Sequence, residues 1–258
     1  MGNRVHNSFY TPMGLVDVEY LAHGSIHIDW EGMQIYVDPY SATYDFTGAP
    51  KADLILITHA HTDHYDCRAI EKIATPHTTF VVSKGVGTCL DNDLPSMHVN
   101  LDNNPLNVDP STTLENMKKI NKLKHCKVDV LKNGDSVTSR GLTIYAVPAY
   151  NVKNLRSNGK PYHIKGEGNG YILDMQGFRM YFAGDTELVP EMKEIKNIDI
   201  AFMPKNTPYT MSDEEFVEAA NLISPKNLFP VHYSEIDPKK LARETKTGIC
   251  LYVNGRQY

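Results

Sequence analysis

The sequence predicts an α/β protein in which two β-sheets pack face to face and helices cover their outer sides. Three observations predict this class: strands come first, strands then alternate with helices, and the same order recurs in the second half of the chain. A length of 258 residues suits one domain, and no linker-like segment divides the chain. We therefore expect a single domain over residues 1–258, with a surface insertion at about 91–127 that is rich in Asn, Asp, Pro and Ser.

The first half of the chain predicts a β-meander followed by a strand–helix alternation. Alternation of apolar and polar residues indicates strands, with a hairpin turn at Glu31-Gly32. Asp66 is the predicted N-cap of the first helix, which carries apolar residues at helical spacing. The predicted strands are 16–21, 26–30, 33–37, 54–57 and 79–83, and the predicted helices are 67–74, 86–90 and 114–123.

The second half repeats this order. Ser212 and Glu215 form a capping box at the start of one helix, and Gln176-Gly177 marks a hairpin turn between two strands. The predicted strands are 128–131, 142–147, 171–174, 179–183, 198–203, 227–230 and 249–253, and the predicted helices are 190–195, 212–223 and 238–246.

The composition excludes several classes of protein. The chain is 41% hydrophobic and 22% charged with a formal net charge of -5, which argues against a nucleic-acid-binding surface. No apolar run is long enough to form a transmembrane segment. We therefore expect a small-molecule substrate, no nucleic-acid partner and no transmembrane segment, and a homo-oligomer is compatible with the sequence.

The four cysteines are scattered and form no CxxC pair, so they predict neither a zinc ribbon nor a redox motif. Isolated thiols are typical of a reducing compartment. Residues 1–10 contain no apolar segment of the secretory kind. These observations predict a cytoplasmic protein, although a signal removed at an earlier stage would leave no trace in this sequence.

The segment His59-x-His61-x-Asp63-His64 directly follows the apolar run 54–57 and predicts a metal site. Imidazole and carboxylate groups are the usual ligands of zinc and similar divalent ions. His59 and His61 alternate along extended backbone and can reach one ion, while Asp63 and His64 can turn toward a second. The alternative, a solvated polar turn, is less favoured because such turns use Gly, Asn or Pro.

Two further polar residues repeat this pattern of an apolar strand followed by a metal-ligand type. Asp185 follows the strand at 179–183, and His232 follows the strand at 227–230. Taken alone, Asp185 is more simply a turn cap and His232 a structural histidine; the recurrence makes both candidate ligands. His23, at another strand end, is either an outer residue that orients a ligand or a histidine that a turn satisfies.

Together these residues resemble the metallo-β-lactamase superfamily. The matching motifs are His59-x-His61-x-Asp63-His64, Gly184-Asp185-Thr186 and Val231-His232-Tyr233. Ala22-His23-Gly24-Ser25 and Val37-Asp38-Pro39 resemble the branch that includes ascorbate-6-phosphate lactonase and the phospholipase D acting on N-acyl phosphatidylethanolamines.

The resemblance implies a four-layer αββα sandwich with two mixed sheets. It further implies that His59 and His61 bind a first metal ion, that Asp63, His64 and His232 bind a second, and that Asp185 bridges the two. Tyr150-Asn151 stands where the family usually places a third histidine for the first ion. Asn151 is the best-aligned candidate ligand there, and His163 in the following loop is the substitute.

The resemblance also implies a metal-dependent hydrolase that cleaves an ester-like bond with a hydroxide supplied by the metal site. A lactone or other cyclic ester is the first expected substrate, and a phosphodiester is the second. The cofactor is one or two divalent ions, with zinc first and manganese or iron as alternatives. Asp63 and His163 are the predicted catalytic residues. Lys205, Asn206 and Tyr209 are expected near the substrate, because they follow a strand that ends at the same edge.

Two rival classes stay open. A binding or sensing protein that kept the fold without catalysis is favoured only by the missing third histidine. Redox chemistry at a di-iron site is disfavoured because members with that chemistry usually carry Glu in place of His61.

Overall fold

The computed structural model of the protein describes residues 6–91 and 126–258. The predicted insertion at about 91–127 and the predicted helix 114–123 lie almost entirely outside these residues. Within them, two mixed β-sheets are flanked by helices, which confirms the predicted α/β sandwich.

The first sheet contains seven strands in chain order, antiparallel from β1 to β4 and parallel from β4 to β7. Its strands are β1 (His6–Thr11), β2 (Gly14–Ala22), β3 (Ser25–Trp30), β4 (Met33–Val37), β5 (Leu54–Ile57), β6 (Thr79–Ser83) and β7 (Lys127–Leu131). Helices α1 (Cys67–Ile73) and α2 (Lys84–Asp91) accompany this sheet.

The second sheet contains eight strands, antiparallel from β8 to β11, parallel from β11 to β14 and antiparallel again at β15. Its strands are β8 (Ser136–Ser139), β9 (Leu142–Pro148), β10 (Asn169–Met175), β11 (Phe178–Phe182), β12 (Ile200–Pro204), β13 (Asn227–Val231), β14 (Cys250–Val253) and β15 (Arg256–Gln257). Helices α3 (Asp213–Ile223) and α4 (Pro238–Glu244) accompany it.

Three hydrophobic clusters define the layers. One cluster joins the inner faces of the two sheets and includes Val16 and Ile28 of the first sheet and Phe202 and Phe229 of the second. A second packs the helices after β11 against the second sheet, and a third packs α1 and α2 against the first. Burial of these apolar faces is the main stabilising contribution to a layered fold.

Local signals place the helix starts correctly. Asp66 caps α1 by accepting from the backbone N–H of Arg68. Ser212 and Glu215 form the predicted capping box of α3, in which each side chain accepts from the other residue's backbone N–H.

A helix is present where one was predicted over 190–195, and it is of the 3-10 type. The segment Pro190–Glu194 is a 3-10 helix of five residues. Pro190 is in its first turn, and the backbone is extended at both flanking residues, Val189 and Ile195, which ends the helix after five residues. Three strands, β1, β8 and β15, were not predicted, because each lies at the edge of a sheet with mostly exposed or partly exposed residues. No helix of the described residues is long and apolar enough to cross a membrane.

Candidate metal centre

Three predicted ligands, and Asp38, which was not predicted as part of the site, lie where strands of both sheets end. Asp38 follows β4, His59 follows β5 with one residue between, Asp185 comes shortly after β11 and His232 follows β13. These are strands of the parallel parts of the two sheets, whose carboxyl ends meet at one edge of the sandwich. The recurring sequence pattern therefore becomes a cluster in space.

Left-handed backbone conformations at or directly before the candidate residues direct Asp185, His232 and His23 toward the centre. Gly184 has a φ of 64°, and a Cβ atom there would lie 2.8 Å from the carbonyl oxygen of Asn169, so glycine is required directly before Asp185. His23 and His232 have φ values of 54° and 58°, a region that bulky residues rarely adopt. The backbone N–H of His232 donates to the carbonyl oxygen of His23 at 2.8 Å, which links the two turns.

The Asp185 carboxylate lies at the middle of the cluster. Its Oδ2 is 3.2 Å from Nε2 of His232, 3.3 Å from Nε2 of His163 and 3.9 Å from Nε2 of His59. Its Oδ1 is 3.4 Å from Nε2 of His64. Asp185 therefore faces ligands from both halves of the predicted site.

Three of these imidazole nitrogens have no hydrogen-bond partner. Nε2 of His64, His163 and His232 is buried in each case, and none makes a hydrogen bond of acceptable geometry to the nearby carboxylate. A buried polar atom without a partner costs free energy, and native proteins avoid it. Buried imidazole nitrogens that converge on a buried carboxylate are ligand types that a divalent cation binds, so the donor set suits a metal.

The candidate ligands fall into groups whose donor atoms lie within 4.8 Å of one another. The first group contains His59, His61 and His163, and the second contains His23, Asp63, His64 and His232. Between them lies a third set of His59, His64 and Asp185, which shares residues with both groups. The structure thus brings together the six candidate ligands of the three sequence motifs and, with them, the further candidates His23 and His163.

Asn151 lies beside the first group, with both ends of its amide already engaged. Its Oδ1 accepts hydrogen bonds from the backbone N–H of His163 at 2.8 Å and pairs with Nδ1 of that ring at 2.7 Å. Its Nδ2 donates to Glu187 Oε1 at 3.1 Å and to the carbonyl oxygen of Tyr209 at 2.9 Å. This geometry favours His163, with its free Nε2, over Asn151 as the third donor of the first group.

Asp38 is an important residue that sequence reasoning did not assign to the site. Its Oδ2 lies 2.7 Å from Nδ1 of His64, and its two oxygens also accept from the N–H and Oγ1 of Thr58 at 2.8 and 2.5 Å. A carboxylate on the far nitrogen of a metal-binding imidazole fixes the tautomer and the ring orientation. The signal was present, because Asp38 follows β4 in the same way that the ligands follow their strands.

Glu187 organises the loop that carries Asn151. It is fully buried, and its two oxygens accept from the backbone N–H groups of Val152 and Lys153 at 2.6 Å each and of Asn154 at 2.8 Å. Burial raises the pKa of Glu187, but these hydrogen bonds outweigh it and hold the pKa below its usual value. No sequence pattern predicts that Glu187 organises this loop.

The pKa values of the histidines differ in direction between the two groups of the cluster. Burial raises the pKa of Asp185, but the His232 and His64 imidazoles hold it well below its usual value. Burial lowers the pKa of His232, but Asp185 and Asp63 raise it to about 9. In the first group, burial and then the neighbouring His163 lower the pKa of His61 to about 3. The neutral imidazole, which is the form that binds metals, is therefore the stable form of His61.

Asp63 and His23 form a pair at the more open side. Nε2 of His23 lies 2.9 Å from Oδ2 of Asp63, and the two rings of His23 and His232 are 3.8 Å apart between centroids. The Asp63 side chain is 30% exposed, whereas that of Asp185 is 4% exposed. Of the two carboxylates, Asp63 is therefore the one that solvent can reach.

The three residues predicted near the substrate have different surroundings. Lys205 pairs with Asp213 at 2.7 Å and donates to the carbonyl oxygen of Glu235, so its charge is already engaged. Asn206 Nδ2 is 3.5 Å from Nδ1 of His232. Tyr209 is half exposed and packs edge to face on Tyr162. Asn206 and Tyr209 therefore lie at the rim of the centre.

Comparison with known proteins agrees with this fold and site. A family model described as a beta-lactamase superfamily domain matches residues 17–232. A protein of Methanopyrus kandleri named as a metal-dependent hydrolase is 25% identical over 246 residues, which cover 89% of this chain and 91% of the relative.

Two solved structures are similar over nearly the whole chain. The crystal structure of a metal-dependent hydrolase from Parabacteroides distasonis is 37% identical with a TM-score of 0.76, covering 98% of this chain and 99% of that one. A metallo hydrolase from Ignicoccus hospitalis is 22% identical with a TM-score of 0.65, covering 94% and 97%. At that identity, the second likeness concerns the fold alone.

Proposed function

Because this chain belongs to the metallo-β-lactamase superfamily and is a metal-dependent hydrolase, we propose that it cleaves the ester bond of a lactone or another cyclic ester. One observation carries the metal-dependent part of the proposal: unpartnered Nε2 atoms of His64, His163 and His232 converge on the buried Asp185 carboxylate. The sequence resemblance to the lactonase branch supports the choice of a cyclic ester.

We assign the ligands of two divalent ions from the two groups. His59, His61 and His163 hold the first ion, and Asp63, His64 and His232 hold the second. Asp185 contacts both groups, which supports its assignment as the bridging carboxylate. Zinc is the proposed ion, because imidazole and carboxylate donors suit it, and manganese and iron accept the same donors.

When bound, such ions lower the pKa of coordinated water toward about 7 and stabilise negative charge that develops on a carbonyl oxygen. The protein residues around them fix geometry and handle protons. Three donors each have a side-chain hydrogen-bond partner that orients them: His64 pairs with Asp38, His163 with Asn151, and Asp63 with His23.

Asp63 is the proposed proton-handling residue of the reaction. Burial raises its pKa, but His64, His23 and His232 lower it well below its usual value, so the carboxylate stays ionised at neutral pH. An ionised, partly exposed carboxylate beside the centre orients a water molecule by accepting its hydrogen bond. Asn206 and Tyr209, at the rim, are the proposed contacts for the substrate outside the reacting bond.

The test is a hydrolysis assay on zinc-loaded protein with a panel of lactones and phosphodiesters. The proposal predicts turnover of lactones and a fall of about a hundredfold or more in kcat/KM for Asp185→Asn. Asp45→Asn changes an exposed carboxylate in the same way and serves as the matched control. Cleavage of phosphodiesters alone would replace this proposal with a phosphodiesterase, and a fully metal-loaded protein that cleaves neither class would overturn it.

A further inference from the structure

A cleft opens beside the first group of ligands, His59, His61 and His163. Apart from the metal centre, small and apolar residues supply much of its wall. These residues include Ala60, Ala149, Pro161, Tyr162 and Ile164.

The described wall of this cleft offers no positive charge. None of its lining residues is Lys or Arg, and the one carboxylate outside the metal centre is Glu167. Glu167 is itself paired with Lys84, whose Nζ lies 2.6 Å from Oε1. An anionic group that entered the cleft would lose its water and gain no side-chain cation among these residues, which is costly.

Two of the four cations on the loop beside the cleft pair with carboxylates, and a third lies over an aromatic ring of the wall. Lys153 pairs with Glu215 and Lys165 pairs with Glu191, each at 2.6 Å. The guanidinium group of Arg156 lies over the Tyr162 ring, 4.7 Å from its centroid. None of these three groups belongs to the cleft wall.

Apolar surface continues from the cleft to its mouth. Ile164 lines the cleft and is still 46% exposed. Leu155 is half exposed and forms a β-bridge with Pro161 of the wall, and half-exposed Tyr209 packs on Tyr162. Exposed apolar side chains that are grouped around a cleft mark a binding surface more often than single ones do.

We infer that the substrate carries an uncharged, apolar acyl or alkyl substituent that lies in this cleft while its ester group reaches the metal centre. The inference rests on the proposed function and narrows it. It selects alkyl-substituted lactones and disfavours substrates whose substituent ends in a phosphate or carboxylate. Bound metal ions would attract the reacting carbonyl group, and the cleft residues select what is attached to it.

The first experiment compares γ-lactones that carry methyl, butyl or hexyl side chains with lactones whose chains end in a carboxylate or phosphate. Burial of one methylene group predicts a rise in kcat/KM of about fourfold, for as long as the chain fits the cleft. The anionic members are expected to fall at least tenfold below neutral members of equal length. Equal or faster cleavage of the anionic members would overturn the inference.

The second experiment changes the cleft wall at Ile164, where partial exposure permits substitution. Ile164→Lys introduces a cation, and Ile164→Met is the matched control with a similar length and no charge. Ile164→Lys should reduce the gain per methylene and improve the carboxylate-terminated lactones relative to the neutral ones. Ile164→Met should keep the wild-type order, and an unchanged order in both variants would contradict the assignment of the cleft.

A binding measurement separates failure of the inference from failure of the proposed function. Lactams with the same alkyl chains resist cleavage, so titration calorimetry on zinc-loaded protein reports binding alone. Lactams that bind more tightly with each methylene, while no lactone is cleaved, would retain the cleft assignment and remove the proposed function. Cleavage of lactones with no dependence on chain length in either assay would retain the function and remove the inference.

Discussion

Nδ1 of His64 lies 2.7 Å from the Asp38 carboxylate, and the opposite nitrogen of the ring, Nε2, faces Asp185 without a hydrogen bond. This arrangement commits Nδ1 to a donor role and leaves Nε2 free for a metal ion. Both ends of the contact follow buried strands of the first sheet, so the strand framework sets the orientation of the ring.

Asp38→Asn should weaken metal binding at the second group. The amide that replaces the carboxylate cannot accept all three hydrogen bonds from Thr58 and His64, which use both carboxylate oxygens, because one of its two ends is a donor. We expect a loss of about ten- to a hundredfold in metal affinity. Competition with a coloured chelator measures it, with Asp45→Asn on the surface as the control; wild-type affinity in Asp38→Asn would contradict the assigned role.

Asn151→Asp distinguishes an orienting residue from a direct ligand. As a ligand, the new carboxylate would strengthen the first site. In the orienting role, it places a negative charge 3.1 Å from Glu187 and removes the donor to the Tyr209 carbonyl oxygen. We therefore expect lower stability and no gain in metal affinity, measured by urea unfolding and metal titration.

His163→Ala completes that comparison. If His163 is the third donor of the first group, its removal should lower zinc content by about one ion per chain and leave the second group filled. Elemental analysis after dialysis measures this loss. Retention of both ions in His163→Ala would return Asn151 to the ligand set. His77→Ala, at an exposed histidine outside the site, is the matched control.

Glu187→Gln should destabilise the protein by about 2 kcal/mol at pH 7, because a buried amide replaces a carboxylate that accepts from three backbone N–H groups. Glu218→Gln, at an exposed position of α3, should change the free energy of unfolding by less than about 0.5 kcal/mol. Urea unfolding of both variants and the wild type provides the comparison.

The destabilisation by Glu187→Gln should depend on pH with a definite sign. The pKa of Glu187 in the folded protein is lower than its usual value of 4.5, so its stabilising contribution is complete above that value. The contribution is lost as pH falls through the folded pKa. The difference between wild type and Glu187→Gln should therefore narrow below about pH 4; a difference that stays constant with pH would mean that the charge of Glu187 is unimportant.

The sequence predicted the parts of the site that a single strand end carries. His59, Asp185 and His232 each follow an apolar strand, and the alternation of strands and helices brings those strand ends together. The order of elements was predictable because burial on one or both faces leaves a periodic pattern in the sequence.

The remaining parts depend on contacts between distant segments. The sequence offers both Asn151 and His163 in place of the missing third histidine, and only the contact between them, from a loop without a regular pattern, favours one over the other. Glu187 acts through backbone N–H groups of another loop, which no side-chain motif records. Short edge strands such as β8 were missed because they carry little buried apolar surface.

The most direct test of the account is the number of metal ions per chain, measured by elemental analysis on protein purified without chelator and reconstituted with zinc. The account predicts close to two ions in the wild type, with loss from the second group in His232→Ala. Close to one ion in the wild type would contradict the assignment of His59, His61 and His163 as the ligands of a first bound ion. No bound ion after reconstitution with zinc, manganese and iron in turn would contradict the metal centre itself.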